Sequence, residues 1–277
     1  MRVPDWLIYA AALALIFWGV TNRFERRDAP EPLPPDIAAP RPSESGPLLP
    51  PPTQFDPTIE VEVGPPGPSI GTAFAIAEDG VWLTARHVVD GCARVGLAVG
   101  PTTLLPVRSV TISPIADVAM LRTQRAPDAI ALSLVDDLRV SQPGFHVGFP
   151  QGQPGEATST LLGRERLIAR GRYALDEPVI AWAERGRTRG LSGTLGGMSG
   201  GPVLDRYGNV IGITIAESSR RGRIYTSSPS TIARFLRESG EFADGAPIGQ
   251  IGVEDYWYAA NELRNRFVVA KVVCVTR

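Results

Sequence analysis

The sequence predicts an all-β fold made of many short strands, and three observations support this. From Ile70 onward, short apolar runs alternate with turn residues. Two such stretches have the pattern of β-hairpins, Phe74–Ala85 and Val203–Ile215. Long helical patterns are scarce before Ser230. Short strands over roughly 200 residues are typical of a β-barrel or a β-sandwich.

The N-terminal run Trp6–Val20 carries no charge and predicts a membrane anchor over residues 1–22. At about 1.5 Å per residue the run barely spans a bilayer core of about 30 Å. Trp6 and Trp18 lie near its ends, where interfacial aromatic residues belong. A cleaved signal peptide is the main alternative, although no small-residue cleavage site follows Val20, and a buried core helix is the other.

Proline dominates residues 23–69, which we interpret as a linker because such a segment favours extended polyproline II and cannot assemble a core. A proline-rich ligand for a partner domain is the alternative. Within this segment Thr58–Val63 alternates like a strand. At the other end, Ser230–Glu238 has helical spacing and a serine cap, Val253–Arg266 is a second helix candidate, and Phe267–Val275 is strand-like.

Composition argues against several functions. The formal net charge is −1, so no basic excess favours a nucleic-acid partner. The chain has two cysteines, Cys92 and Cys274, and two histidines, His87 and His146. These are too few and too dispersed for a structural zinc cluster, and we expect no metal or other cofactor.

The glycine-rich stretch Leu195–Pro202 surrounds a single serine, Ser199. A nucleophilic serine needs a tight turn whose N–H groups face the developing oxyanion, and glycine permits this. The same residues match the nucleophile elbow of α/β-hydrolases, but there the histidine follows the serine, whereas both histidines here precede Ser199. The order Asp, His, Ser would require a subtilisin-type α/β fold, which the strand pattern opposes. The order His, Asp, Ser remains.

His87 follows a strand at a predicted strand-to-helix corner, from which it could project into a cleft. His146 lies within the strand-like Phe145–Phe149, where a core or surface role is the default. Asp117 has apolar residues on both sides, and a buried carboxylate is costly unless it is paired. Other aspartates lie in polar or turn-like surroundings. Asp117 is therefore the acid that most needs a partner, and His87 is the candidate.

Three ordered blocks, GTAFAIAEDGVWLTARHVV, ADVAML and GGMSGGPVLDRYGNVIGI, resemble the signature blocks of trypsin-like serine peptidases, and most of all those of the high-temperature-requirement (HtrA/Deg) branch. The resemblance runs from about Ile70 to Glu238. It implies two six-stranded antiparallel β-barrels of the chymotrypsin-like type, at roughly residues 55–135 and 140–240 of a 70–277 protease domain. The active site would lie in the cleft between the barrels, with one or two helices at the C-terminus.

The resemblance also implies roles for individual residues. Ser199 would be the nucleophile, His87 the general base and then acid, and Asp117 the residue that orients His87. The N–H groups of Gly197 and Ser199 would form the oxyanion hole. The substrate-binding residues implied are Gly193, Thr214, Ile215 and Ala216. Because glycine replaces the acid that trypsin-type enzymes carry at position 193, we expect a small or apolar residue before the scissile bond.

The chain departs from the family pattern in two places. Met198 replaces the aspartate of digestive-type enzymes, so activation through an ion pair with a new amino terminus is not expected. About 40 residues follow Glu238, fewer than the 80–100 or so of a PDZ domain, so we do not expect control through a PDZ domain.

The resemblance implies an extracytoplasmic enzyme, tethered by a single pass to a bacterial inner membrane with its protease domain in the periplasm. Arg23, Arg26 and Arg27 after the apolar run argue for the opposite orientation, but a short anchor is a weak topology signal. A disulfide between Cys92 and Cys274 would staple the C-terminus to the first barrel. Free buried cysteines are the equal alternative.

These features predict a serine endopeptidase that acts on protein or peptide substrates through an acyl-enzyme intermediate. The resemblance adds a homo-oligomer as an expectation, since trimers are common among HtrA relatives. Two other functions remain. One is a catalytically silent binding or scaffold protein on a protease fold, and the other is a serine esterase.

Overall fold

The computed structural model describes residues 46–100 and 103–276. These residues form three α-helices, α1 (Arg86–Val89), α2 (Pro229–Ser239) and α3 (Tyr256–Asn265), and two short 3-10 helices, Pro150–Gly152 and Ser219–Arg221. They also form fourteen strands: β1 (Thr58–Val63), β2 (Ser69–Ala77), β3 (Val81–Thr84), β4 (Arg94–Ala98), β5 (Leu104–Pro106), β6 (Ser109–Ile112), β7 (Ala119–Arg122), β8 (Pro143–Gly148), β9 (Gly155–Gly171), β10 (Leu175–Arg187), β11 (Pro202–Leu204), β12 (Val210–Ser218), β13 (Arg223–Ser227) and β14 (Val269–Val275). The mostly-β prediction is confirmed.

The second half of the chain forms a sheet with the order β1-β9-β10-β13-β12-β11-β8, in which β8 also pairs with β9. That extra pairing closes β8 to β13 into a ring of six antiparallel strands. The seventh strand, β1, pairs with β9 in parallel outside the ring. The boundaries given above place Thr58–Val63 in the first barrel, and this is wrong, because the end of the 17-residue β9 extends beyond β8 and offers a free edge.

The first half forms a sheet with the order β5-β4-β14-β2-β3-β7-β6. It has seven strands instead of the six predicted, because the C-terminal strand β14 is inserted between β2 and β4. Val269 and Val272 of β14 are buried, so the apolar run in the sequence reflects a strand with neighbours on both edges. The sequence predicted the strand, but nothing local to it could indicate its partners.

The predicted linker over residues 23–69 is too long at its C-terminal end. Leu49 is buried against the second barrel, its N–H donates to the carbonyl of Leu138, and Val140 donates to Pro47. The guanidinium of Arg164 holds the carbonyl of Pro50 at 2.7 Å. Proline density favours an extended backbone but does not indicate whether the carbonyls of the segment find hydrogen-bond donors.

The two C-terminal helices are confirmed with small shifts. α2 begins one residue earlier than predicted, and its cap is Ser228 instead of Ser230, since the Ser228 hydroxyl accepts from Thr231 N–H. No helix in the described residues is both long and apolar enough to cross a bilayer. The predicted anchor lies outside those residues.

Candidate active site

His87 lies at a corner between a strand and a short helix. β3 ends at Thr84, and α1 begins at Arg86, so the ring leaves the sheet at its edge. Its Nδ1 lies 2.6 Å from Asp117 Oδ2, and its backbone N–H donates to Asp117 Oδ1 at 2.8 Å. Two hydrogen bonds from one residue to both oxygens of a carboxylate fix the ring and the acid relative to each other.

Asp117 lies in a bend just before β7 and is 6% exposed. The bend is closed by a hydrogen bond from Ser113 N–H to the Val118 carbonyl and is held from outside by Arg86, whose guanidinium donates to the Ser113 carbonyl. The structure thus brings together the histidine and the acid that the sequence selected, and it does so for the reason given there, that a buried carboxylate needs donors.

Asp117 also controls the basicity of His87. Burial lowers the pKa of His87, but the charge of Asp117 and the hydrogen bond to it raise the pKa more, whereas nearby Arg172 lowers it. The net pKa lies above the ordinary value of 6.5. The ring is 32% exposed, so one edge remains open to a substrate.

The glycine-rich loop contains two unpaired N–H groups. From residue 195 to residue 201, Leu195, Gly196, Met198, Gly200 and Gly201 all donate to acceptors within the protein. Among the described residues, the N–H groups of Gly197 and Ser199 have none. They flank Met198, whose N–H turns inward to the Leu195 carbonyl. An isolated pair of free donors beside a serine hydroxyl is the arrangement that stabilises an oxyanion.

The loop is anchored to the strand pair that carries His87. Thr72 of β2 donates from its N–H to the Ser199 carbonyl and from its hydroxyl to the Gly197 carbonyl. Thr84 at the end of β3 donates to the Thr72 carbonyl at 2.6 Å. A Cβ at Gly200 would lie 2.2 Å from the Thr84 hydroxyl, so this close approach requires glycine. Within the described chain, the His87 ring bonds to Asp117 and not to the Ser199 hydroxyl.

Gln151, which sequence reasoning missed, holds the other side of this loop. Its N–H donates to the Gly196 carbonyl at 2.6 Å, and its side chain donates to the carbonyls of Ser192 and Thr194. Because C=O and N–H of a trans peptide point in opposite directions, the Gly197 N–H is turned away from Gln151. Gln151 has φ 52°, an unfavourable value for a residue other than glycine. No sequence pattern predicts a positive-φ residue with this supporting role.

The predicted substrate-binding residues line the same loop. Gly193 is exposed with φ 77°, and its carbonyl accepts from Arg187. Thr214 exchanges backbone hydrogen bonds with Gly200 and Gly201, so it supports the loop. Ile215 is the extra residue of a β-bulge between Thr214 and Ala216 and has no partner in the strand register.

Two further buried residues of the second barrel, His146 and Glu177, contact residues of the site. Burial lowers the pKa of His146 to about 3, so its ring is neutral, and it bonds to the hydroxyls of Ser159 and Thr214. Glu177 of β10 is 1% exposed and accepts from Asp117 N–H at 2.7 Å. Alternation with Leu175 and Val179 could have indicated from sequence that Glu177 faces the core.

Cys92 and Cys274 form a disulfide with Cα atoms 5.5 Å apart. It joins the turn after α1 to the end of β14. In the described part of the chain, no group of three or more His, Cys, Asp or Glu side chains is placed to hold a metal ion.

Comparison with known proteins identifies a family and several relatives. A family model described as a trypsin-like peptidase domain matches residues 71–213. A probable periplasmic serine endoprotease, DegP-like, from Brucella suis is 30% identical over 192 residues, which is 66% of this chain and 35% of that protein. A protein of the same description from Pseudomonas fulva is 26% identical over 186 residues, 64% of this chain and 36% of that protein. The chain therefore spans about a third of the length of these relatives.

The fold also matches a solved structure. The active form of the Rv3671c protease from M. tuberculosis superposes with a TM-score of 0.51 at 16% identity, covering 72% of this chain and 99% of that one. At this identity the match concerns the fold alone.

Proposed function

The chain belongs to the trypsin-like peptidase family, and from this premise we propose that it is a serine endopeptidase with Ser199, His87 and Asp117 as its catalytic triad. The observation that carries the proposal is the pair of unpaired N–H groups at Gly197 and Ser199, one of which belongs to the serine itself. The coupled pair His87–Asp117 supplies the base.

In the first half of the reaction, neutral His87 accepts the Ser199 hydroxyl proton at Nε2 while Oγ attacks the carbonyl carbon of the scissile peptide. The carbonyl oxygen becomes an oxyanion, and the N–H groups of Gly197 and Ser199 donate to it. His87 then gives its proton to the leaving nitrogen. The C–N bond breaks, the new amine departs, and an ester to Ser199 remains.

In the second half, water attacks the ester carbonyl and gives a proton to His87. The second oxyanion uses the same two donors. Its collapse breaks the ester, His87 returns the proton to Ser199, and the carboxylic acid product leaves. Asp117 bonds to Nδ1 throughout, so it holds the ring with Nε2 towards the serine and stabilises the imidazolium that forms twice.

The substrate would lie along β12. Ile215, which has no register partner, is the position whose backbone could pair with an added peptide strand. Gly193 has no side chain to select charge, so we propose that cleavage follows a small or apolar residue.

We further propose that the enzyme acts on extracytoplasmic proteins from the outer side of a bacterial inner membrane. Two of the relatives are described as probable periplasmic proteases. The disulfide between Cys92 and Cys274 supports the same compartment, because such bonds persist where the environment is oxidising.

The first prediction tests the nucleophile. A fluorophosphonate probe should label the protein by forming a phosphonyl ester at Ser199 and releasing fluoride. Ser199→Ala should abolish labelling and lower peptide hydrolysis by about 10⁴-fold or more, because the fold and oxyanion donors remain but the nucleophile is lost.

Ser192→Ala is the matched control, since Ser192 is an exposed serine of the same loop and contributes only its carbonyl to the Gln151 contact. It should be labelled normally. Normal hydrolysis by the Ser199→Ala variant would overturn the proposal. Absence of labelling in a folded wild-type protein would favour the scaffold function, and turnover of esters without peptides would favour the esterase.

A further inference from the structure

We propose that Glu177 is a positioning residue that holds Asp117 from the opposite barrel, and that it works as an uncharged carboxylic acid. This inference rests on the proposed function, since it concerns the acid of the same triad. Glu177 belongs to β10 of the second barrel, whereas Asp117 precedes β7 of the first sheet. Its Oε1 accepts from Asp117 N–H at 2.7 Å across that boundary.

The contact with Glu177 fixes the backbone of Asp117, whereas His87 contacts only its side chain. The two oxygens of Asp117 accept from His87, and its N–H donates to Glu177. Asp117 is therefore held both at its side-chain carboxylate and at its backbone N–H. A shift of Asp117 would rotate the His87 ring, so Glu177 acts on the general base through Asp117, without itself touching the substrate.

The surroundings of Glu177 argue that it carries a proton. It is 1% exposed and lies beside the buried Asp117, so two negative charges would share a region without water. The opposing charge that acts on Glu177 is that of Arg234 of α2, and none of the described residues forms a salt bridge with Glu177. Its Oε2 is buried with no hydrogen-bond partner. A neutral O–H can occupy that position at far lower cost than a bare charged oxygen.

The electrostatics agree with this assignment. Burial, and then the charge of Asp117, raise the pKa of Glu177 to about 8, although the hydrogen bond from Asp117 N–H and the charge of Arg234 oppose the shift. His87 and Tyr173 both interact electrostatically with Asp117, and the other charged groups that act on these two residues are Arg86, Arg172 and Asp90. Ionisation of Glu177 would add a second negative charge near Asp117, and repulsion between the two carboxylates would displace the Asp117 side chain.

The second prediction compares the full-length wild type with Glu177→Gln, which keeps an oxygen for Asp117 N–H and cannot ionise. At pH 7 the kcat of the variant should lie within about threefold of wild type. As pH rises through about 8, wild-type kcat should fall while that of Glu177→Gln stays level. Parallel alkaline profiles for the two proteins would overturn the uncharged state.

Glu177→Leu tests positioning. It keeps the volume but leaves Asp117 N–H unpaired, so kcat should fall tenfold or more with KM nearly unchanged, and Gln should rescue what Leu loses. A Leu variant with wild-type kcat would overturn the positioning role. If the Leu variant does not fold, the comparison of wild type with Glu177→Gln still decides the uncharged state.

A third measurement is independent of catalysis. In Ser199→Ala protein, the infrared carbonyl band of a protonated carboxylic acid should be present at pH 7 and lost in the double variant Ser199→Ala, Glu177→Gln. Loss of hydrolysis by Ser199→Ala without this band would leave the proposed function intact and overturn the inference. The band without any hydrolysis in the wild type would overturn the proposed function and with it the positioning role, and only the uncharged state of Glu177 would stand.

Discussion

The two histidines lie in opposite electrostatic environments. Asp117 raises the pKa of His87 above 6.5, whereas burial without a charged partner lowers that of His146 to about 3. The directions of the two pKa shifts differ because a carboxylate lies beside the ring of His87 and none from the described residues lies beside the ring of His146. Since the chain has only these two histidines, their titrations can be separated directly.

The third prediction is that one imidazole titrates by NMR between pH 5 and 9, with a midpoint above 6.5. The base must be neutral, so kcat/KM should be lost as pH falls through that midpoint. Asp117→Asn removes both effects that raise the pKa, so the midpoint should move down, and kcat should fall by about 10⁴-fold. An upward shift in the variant, or two titrating rings in the wild type, would contradict this.

At the scale of single residues, the sequence predicts those whose burial requires a hydrogen-bond partner. It misses those whose role depends only on where the fold places them. Asp117 could be selected because a buried charge requires donors. Gln151 could not be selected, because in the sequence it does not differ from other polar loop residues. Its acceptors, the carbonyls of Ser192 and Thr194, lie about 40 residues away and come close only in the folded chain.

At the scale of secondary-structure elements, β1 and β14 show that a local sequence pattern does not determine the pairing partners of a strand. The sequence predicts both as strands, but it places β1 in the wrong barrel and gives no partner for β14, because pairing partners more than 90 residues away leave no local signal. Hairpins such as β2–β3, whose partners are adjacent in sequence, were predicted correctly.

The fourth prediction concerns the segment before β1. Leu49 is 7% exposed, whereas its neighbour Leu48 is 53% exposed. Leu49→Ala should lower the free energy of unfolding by about 2–4 kcal/mol because it empties a packed site. Leu48→Ala keeps the same backbone contacts and should cost about 0.5 kcal/mol or less. Urea unfolding of both variants checks this, and equal losses would show that the segment does not pack.

Across the whole molecule, the C-terminal residues bridge the two barrels. α3 docks on the second barrel, where Arg264 pairs with the fully buried Glu156 at 2.7 Å and Tyr256 stacks on Phe145. The chain then enters the first sheet as β14. The sequence predicted a helix followed by a strand, but this bridging role depends on contacts with residues about 100 positions away.

The fifth prediction tests this bridge. Arg264→Met should cost about 3–5 kcal/mol of unfolding free energy, because it leaves the buried Glu156 carboxylate without its charged partner. Adding Glu156→Gln should recover most of the loss. Arg266→Met, which breaks the more exposed pair with Asp128, should cost less than about 1 kcal/mol. Urea denaturation measures all three, and similar losses for Arg264→Met and Arg266→Met would contradict the bridge.

The bond between Cys92 and Cys274 has a topological consequence, because it closes residues 92–274 into a covalent ring. Asp117 and Ser199 lie within the ring, and His87 lies five residues outside it. A single backbone cut in any exposed loop of the ring, such as Ser192–Thr194, opens the circle without producing two pieces. A cut there would therefore leave His87, Asp117 and Ser199, the proposed triad, on one covalent molecule.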